Sequence, residues 1–182
     1  LRPDQTGEKV IVDPWRQGGW DVGDTVLVAD PSTDADVGDF FGRLPSAEYL
    51  PTWRSRRAGG SLGADELDAA HKAAAHAATP TVIHADSLGR PFLTIAHNRW
   101  LYSNAAAGAA PTDQFDRTRV TFDVDCNQLT TVDPMDRVLM ANEYDIMHRT
   151  LHTPSKEAGV RRIHPECAAP PALECDFEAE PP

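Results

Sequence analysis

Basic residues are scarce in this chain of 182: 17 Lys and Arg stand against 28 Asp and Glu, a formal charge of −11. That balance opposes both the phosphates of nucleic acid and anionic lipid headgroups, so no nucleic-acid partner and no membrane-surface role are expected. No apolar run approaches the roughly 20 residues of a membrane span, which excludes a spanning helix. The opening Leu1-Arg2-Pro3-Asp4 has no initiator Met, basic region or apolar segment, so no targeting signal is read and the chain is taken as an internal piece. Its three cysteines, Cys126, Cys167 and Cys175, give neither a disulfide framework nor a zinc pattern. Large aliphatic and Phe side chains are also few. Leu, Ile, Val and Phe make up 36 of the 182 residues, about the level at which a self-sufficient core becomes doubtful.

What is present is turn chemistry and short β-branched runs. Lys9 to Val12 and Thr25 to Val28 read as two short strands. Residues 30 to 63 are dense in Pro, Gly and Asp with Phe40, Phe41, Tyr49 and Trp53 interspersed, an irregular excursion pinned by aromatics. One helix is predicted over residues 64 to 78, with acids in its first turn, high alanine content and a stop before Thr79-Pro80. From residue 79 the pattern becomes strand, turn, strand. Thr81 to Ala85 and Arg90 to His97 flank Asp86-Ser87-Leu88-Gly89, where Asp86 can accept backbone N–H groups and Gly89 can supply a positive φ. An alanine-rich loop, Asn104 to Pro111, follows. Further hairpins are expected around Asp125-Cys126-Asn127, Asp133 to Asp136 and Asp145 to His148. Asp125 and Asp145 lie 20 residues apart and Asp86 lies 39 before Asp125, a spacing read as a repeat of stacked units.

The fold class is therefore mostly β. Four segments are expected: an irregular β and loop region at 1–63, the helix at 64–78, hairpin repeats at 79–160, and a disordered tail at 161–182. The tail has five prolines, two cysteines and, after Arg162, acids without Lys or Arg.

No constellation of catalytic groups emerges. Asp30, Asp34, Asp36 and Asp39 could offer oxygen ligands to calcium, but the EF-hand order is not met and loops ordinarily contain such residues. Asp123 to Asn127 begins like a calcium loop, yet Gln128 stands where Gly is required, so a hairpin turn is preferred. His71 and His76 are five apart and share no helix face, while His84 and His97 could oppose each other across a hairpin. Cys126 has no base in its neighbourhood in the sequence. Gly59 to Gly63 lacks the Lys-Ser or Lys-Thr of a phosphate loop. No catalytic, metal or cofactor site is expected; the residues singled out are the turn residues Asp86, Gly89, Asp125 and Asp145. Two rival readings stay open. An enzyme would need carboxylates and imidazoles converging on one pocket. A carbohydrate- or protein-binding β-module would expose Trp15, Trp20, Trp53 and Trp100 together.

Asp86-Ser87-Leu88-Gly89-Arg90-Pro91-Phe92-Leu93-Thr94-Ile95-Ala96-His97-Asn98, then Thr118-Arg119-Val120 and Glu143-Tyr144-Asp145, resemble YD-repeat (RHS) proteins, nearest to the insecticidal toxin-complex group. The upstream Asp13-Pro14-Trp15-Arg16-Gln17, Trp20 to Leu27 and Leu44 to Trp53 also look like the segment preceding those repeats, so the resemblance covers roughly residues 10 to 160. It implies antiparallel hairpins winding into a hollow β-shell, to which the residues themselves add the one helix and the disordered tail. It further implies a secreted, non-catalytic, structural role in enclosing a toxic polypeptide, with neighbouring RHS repeats, other toxin-complex subunits and the enclosed toxin as partners. A degenerate remnant without activity is the alternative. The family's turn glycine, present as Gly89, is replaced by Cys126, Asp136 and His148, each at a cost of roughly 1 kcal/mol where the left-handed geometry is kept. The paired Asp-Pro-x-Gly motifs of the family's self-cleaving core are absent.

Overall fold

The computed structural model describes residues 1–102 and 109–163, and the backbone of 174–177. Among these, antiparallel strands dominate, with a few short helices. The strands are β1 (Lys9–Asp13), β2 (Arg16–Trp20), β3 (Thr81–Ala85), β4 (Pro91–Trp100), β5 (Thr112–Phe122), β6 (Gln128–Val132), β7 (Val138–Ala141), β8 (Glu143–Tyr144), β9 (Thr150–Ser155), β10 (Gly159–Ile163) and β11 (Glu174–Phe177). Hydrogen-bonded neighbours follow the order of the chain from β1 to β7, then β9, β10 and β11, while β8 pairs with β9. This is a meander: apart from the side pairing of β8, each strand lies beside the next along the sequence, through short turns after β3 and from β5 to β10 and through a long helical excursion between β2 and β3. The helices α1 (Gly38–Phe41), α2 (Trp53–Ala58) and α3 (Ala64–Ala75) lie between β2 and β3.

Contacts group the chain into two compact units. The first comprises Leu1–Ile83 with Ile95–Phe115, the second His84–Thr94 with Asp116 onward. In the first unit, β1 and β2 form a hairpin in which Asp13 pairs with Arg16 and Lys9 with Trp20. Pro14-Trp15 makes the tight turn, and the Asp13 carboxylate accepts the Trp15 N–H at 2.9 Å. The excursion between β2 and β3 packs on aromatics: Phe41 meets Phe40 and Tyr49 edge to face at 5.4 and 5.3 Å. Phe41, Tyr49, Ala70 and Ala77 are the buried apolar residues, and among the described residues no large side chain is fully enclosed. Among the described residues of the second unit, the buried side chain is polar, Asp133. Among the described residues the shortage of large aliphatics thus appears as a small buried core, with strand ladders and turns carrying much of the structure.

Three expectations are corrected. The second strand is Arg16–Trp20, not Thr25–Val28. The Asp21 carboxylate accepts the N–H groups of Gly23 and Asp24, and the backbone of 21–28 closes on itself in successive turns. Local hydrogen bonds therefore satisfy the groups a strand partner would have used, and Val22, Val26 and Val28 line an apolar cleft. The helix at 64–75 is joined by α1 and α2, which form where Asp34 accepts the Val37 N–H ahead of α1 and Thr52 caps α2 through the Ser55 N–H. The tail is not wholly without structure. Arg161–Ile163 continue β10, and Glu174–Phe177 form β11, which supplies the backbone partners that an edge strand would otherwise lack. The rest of the predicted disordered stretch, 164–173 and 178–182, lies outside the described residues, as does most of the alanine-rich loop.

Candidate functional site

The feature that recurs is a five-residue turn. At 86–90 the Asp86 N–H donates to Arg90 O at 3.0 Å and the Gly89 N–H donates to Asp86 O at 2.9 Å. The Asp86 carboxylate takes the N–H groups of Leu88 and Arg90 at 2.9 and 3.0 Å on one oxygen and Arg90 Nε at 2.7 Å on the other. The same construction stands at 133–137 and 145–149. Asp133 accepts Met135 N–H, Arg137 N–H and Arg137 Nε at 2.9, 2.9 and 2.6 Å. Asp145 accepts the equivalent groups of Met147 and Arg149 at 2.8, 2.9 and 2.7 Å. At 123–127 Asn127 replaces the arginine: Asp123 accepts the N–H groups of Asp125 and Asn127 and Asn127 Nδ2 at 2.9, 2.8 and 2.7 Å.

Asp125 lies within this turn, though the carboxylate that closes it is that of Asp123. Asp125 sits at the tip, and Asp123 holds the turn, because only a carboxylate two and four residues before the donors can reach both. The pinning aspartates are 86, 123, 133 and 145, so the 20-residue interval between 125 and 145 does not measure the module. Gly89, Asp86 and Asp145 each occupy a turn as described. The signal that locates Asp123 in sequence is the Arg or Asn four residues on, together with a residue forced left-handed at the third step.

That third step has φ of 76° at Gly89, 72° at Cys126, 59° at Asp136 and 60° at His148. The left-handed geometry is kept in all four turns, at glycine in one and against side-chain sterics in three. Cys126→Gly and Asp136→Gly are each expected to stabilise the chain by about 1 kcal/mol. Cys126 is exposed, and Asp136 loses only an ion pair with Arg119 in which both side chains are more than half exposed. Urea denaturation of each variant checks this; an unchanged or lowered midpoint contradicts it.

The hydrogen bonds hold all four carboxyls below the ordinary aspartate range. The Arg90 N–H is the largest cause at Asp86, the Asn127 amide at Asp123, the Arg137 side chain at Asp133 and the Arg149 N–H at Asp145. Because the folded pKa is depressed, the stability these groups contribute is complete above the unfolded aspartate value of about 4 and is lost as pH falls through the folded values. A melting temperature that declines below about pH 4 is expected, with a smaller decline in a variant carrying Asn at 86 and 145. A melting temperature indifferent to acid would contradict it.

The other candidate groups are absorbed elsewhere. Asp34 and Asp36 hold the Lys9 ammonium, each at 2.8 Å, so the aspartate-rich loop grips a cation from its own chain. Asp30 accepts the Ser32 N–H and hydroxyl. His97 stacks on Phe115 at 4.3 Å and contacts Asp113 at 2.7 Å beside Arg99, while His84 lies against Phe92, so the two imidazoles have separate neighbours. His76 Nδ1 meets Arg99 O. Trp20 faces Lys9, Trp53 faces Arg57 and Trp100 meets Tyr102 at 6.5 Å, whereas Trp15 stands exposed at a hairpin tip. Among the described residues no two tryptophans share a ring contact, and no three His, Cys, Asp or Glu side chains gather as metal ligands. No helix among them is long and apolar enough to cross a membrane.

No family model and no curated protein matches the sequence. Solved structures do match in fold. A Photorhabdus luminescens Tc holotoxin pore superposes with a TM-score of 0.54 at 16% identity, covering 93% of this chain and 6% of the other. The TcdB2-TccC3 crystal structure gives 0.56 at 16%, covering 92% and 6%. The form without its hypervariable C-terminal region gives 0.52 at 17%, covering 93% and 6%. The chain has the fold of one stretch of these Tc toxin chains. It spans about 6% of their length. The Tc likeness agrees with the RHS-type resemblance carried by the hairpin sequences.

Proposed function

We propose that this chain is a non-catalytic structural segment of an RHS-type toxin shell, a wall that encloses or carries a toxic polypeptide. The observation that carries this reading is the fourfold use of one pinned turn on a chain-order meander. Each module fixes its hairpin locally, so hairpins can be added in series without a deep core, as a wall one layer thick requires. The fold shared with Tc toxin chains supports it. The partners follow from the same reading: neighbouring hairpin repeats, other toxin-complex subunits and the enclosed polypeptide, outside the cell. The dispersed tryptophans weigh against a carbohydrate-binding platform.

Protease treatment of the native polypeptide that contains this chain tests the proposal. An enclosed polypeptide resists digestion until the shell is opened by denaturant. Complete digestion of every other segment under native conditions, leaving this chain as an isolated resistant domain, overturns it.

A further inference from the structure

Within the first unit, a cleft of about 50 Å³ is walled by Val22, Val26, Val28 and Phe41 and lined also by Gln5 and Arg54. Gln5 Oε1 and Arg54 Nε are buried, and among the described residues neither has a hydrogen-bond partner. Gln5 Nε2 donates to Ala47 O and Leu50 O at 3.3 and 3.4 Å, which fixes the amide with its oxygen as the free end. The Gln5 backbone is left-handed, with φ of 64°, outside the four pinned turns. A strained residue that also holds an unpaired buried acceptor is the kind of position that a bound group compensates. The other polar side chains lining the cleft are paired within the chain: Lys9 with Asp34, Glu8 with Arg2, Thr6 with Asp4, Thr25 with Gly7 O and Thr52 with Ser55. Gln5 and Arg54 are thus the groups that a guest must satisfy.

Size and chemistry narrow the guest. The volume is several times the roughly 10–15 Å³ that one water needs and well below the roughly 150 Å³ that admits a benzene ring, so the enclosed part holds a group of a few heavy atoms. The valine and phenylalanine walls favour an aliphatic stem. A carboxylate would satisfy Arg54 but set an acceptor against Gln5 Oε1, with Asp34 and Glu8 also lining the cleft. An ammonium would satisfy Gln5 but face the Arg54 guanidinium. A hydroxyl or carboxamide both donates and accepts, and so serves both atoms. A free molecule of so few atoms binds weakly, whereas a side chain on a tethered segment is presented at about millimolar effective concentration. We propose, on the reading above that the chain is one part of a longer toxin polypeptide, that the cleft receives a short neutral side chain of Ser, Thr or Asn type from another segment of that polypeptide.

Electron cryo-microscopy of the native polypeptide that contains this chain, at a resolution that separates side chains from water, tests this. Side-chain density continuous with a second stretch of backbone is expected in the cleft, its hydroxyl or amide within hydrogen-bond distance of Gln5 Oε1 and Arg54 Nε. Val26→Phe in the same polypeptide fills the cleft from its wall and removes that density, while the surrounding strands keep their places. Ordered water alone, an empty cleft, a charged side chain there, or a guest that persists in the Val26→Phe protein overturns the proposal. The wild-type map decides by itself if Val26→Phe does not fold. An unfilled cleft within a shell wall overturns this proposal and spares the shell reading; a filled cleft in a segment apart from any wall does the reverse.

Discussion

Lys9→Met should destabilise the chain by about 2–3 kcal/mol, the larger part of what breaking a buried ion pair costs, reduced for partial solvent access. Lys9 lies in β1, 25 residues before its first partner, and its ammonium is 2.8 Å from both Asp34 and Asp36. The Lys9 and Asp34 side chains are only 13% and 12% exposed. Burial alone would lower the lysine pKa, but the hydrogen bonds it donates to the two aspartates outweigh it and the net shift is upward; Lys9 in turn holds Asp34 below the ordinary range. Asp34 also accepts the N–H groups of Asp36 and Val37, so the pair ties the β1 hairpin to the start of α1. Methionine keeps the stem over the Trp20 ring, where Lys9 Nζ sits 5.0 Å from the centroid, and removes only the charge. A second variant, Lys9→Met with Asp34→Asn, which removes the charge and keeps the oxygen that accepts the Asp36 and Val37 N–H groups, should recover part of the loss, because the penalty belongs to the carboxylate left unpaired. Equal destabilisation in both variants by urea denaturation would contradict this account.

Asp133→Ala should lower the melting temperature by about 5–10 °C, the largest effect of any turn substitution. Asp133 is the buried member of the four pinning aspartates. Its loss strands the N–H groups of Met135 and Arg137 and frees the Arg137 guanidinium, and the left-handed Asp136 loses the carboxylate that closes its turn. Asp86→Ala, at a turn closed by Gly89, removes the same bonds where no strained residue follows and should cost less. A larger effect at Asp86 than at Asp133 by differential scanning calorimetry would show that the turns are not graded by burial and backbone strain.

Much of the fold was legible because it is local. The Asp86-x-x-Gly89-Arg90 turn, the period-two strands that flank it and the alanine-rich helix from Ala64 all depend on residues within a few positions of one another. The misreadings arose where hydrogen-bond geometry, not composition, decided the outcome. Thr25 to Val28 has strand composition, but its valines serve an apolar cleft and its backbone is satisfied by turns. Asp125 and Asp123 are equivalent by composition, and only the donors at Asp125 and Asn127 separate them. Lys9 gave no signal at all, since its two partners lie 25 and 27 residues away. The glycine replacements show the converse case. Cys126, Asp136 and His148 break the local rule for a positive φ, yet the geometry survives because the aspartate at the head of each turn imposes it.

The most direct test of the central claim is electron cryo-microscopy of the native polypeptide that contains this chain. The account predicts that its hairpins appear in chain order within the continuous wall of a hollow shell, with further antiparallel strands on either side and density enclosed within. A segment that folds apart from any wall, as a separate globular domain, would contradict it.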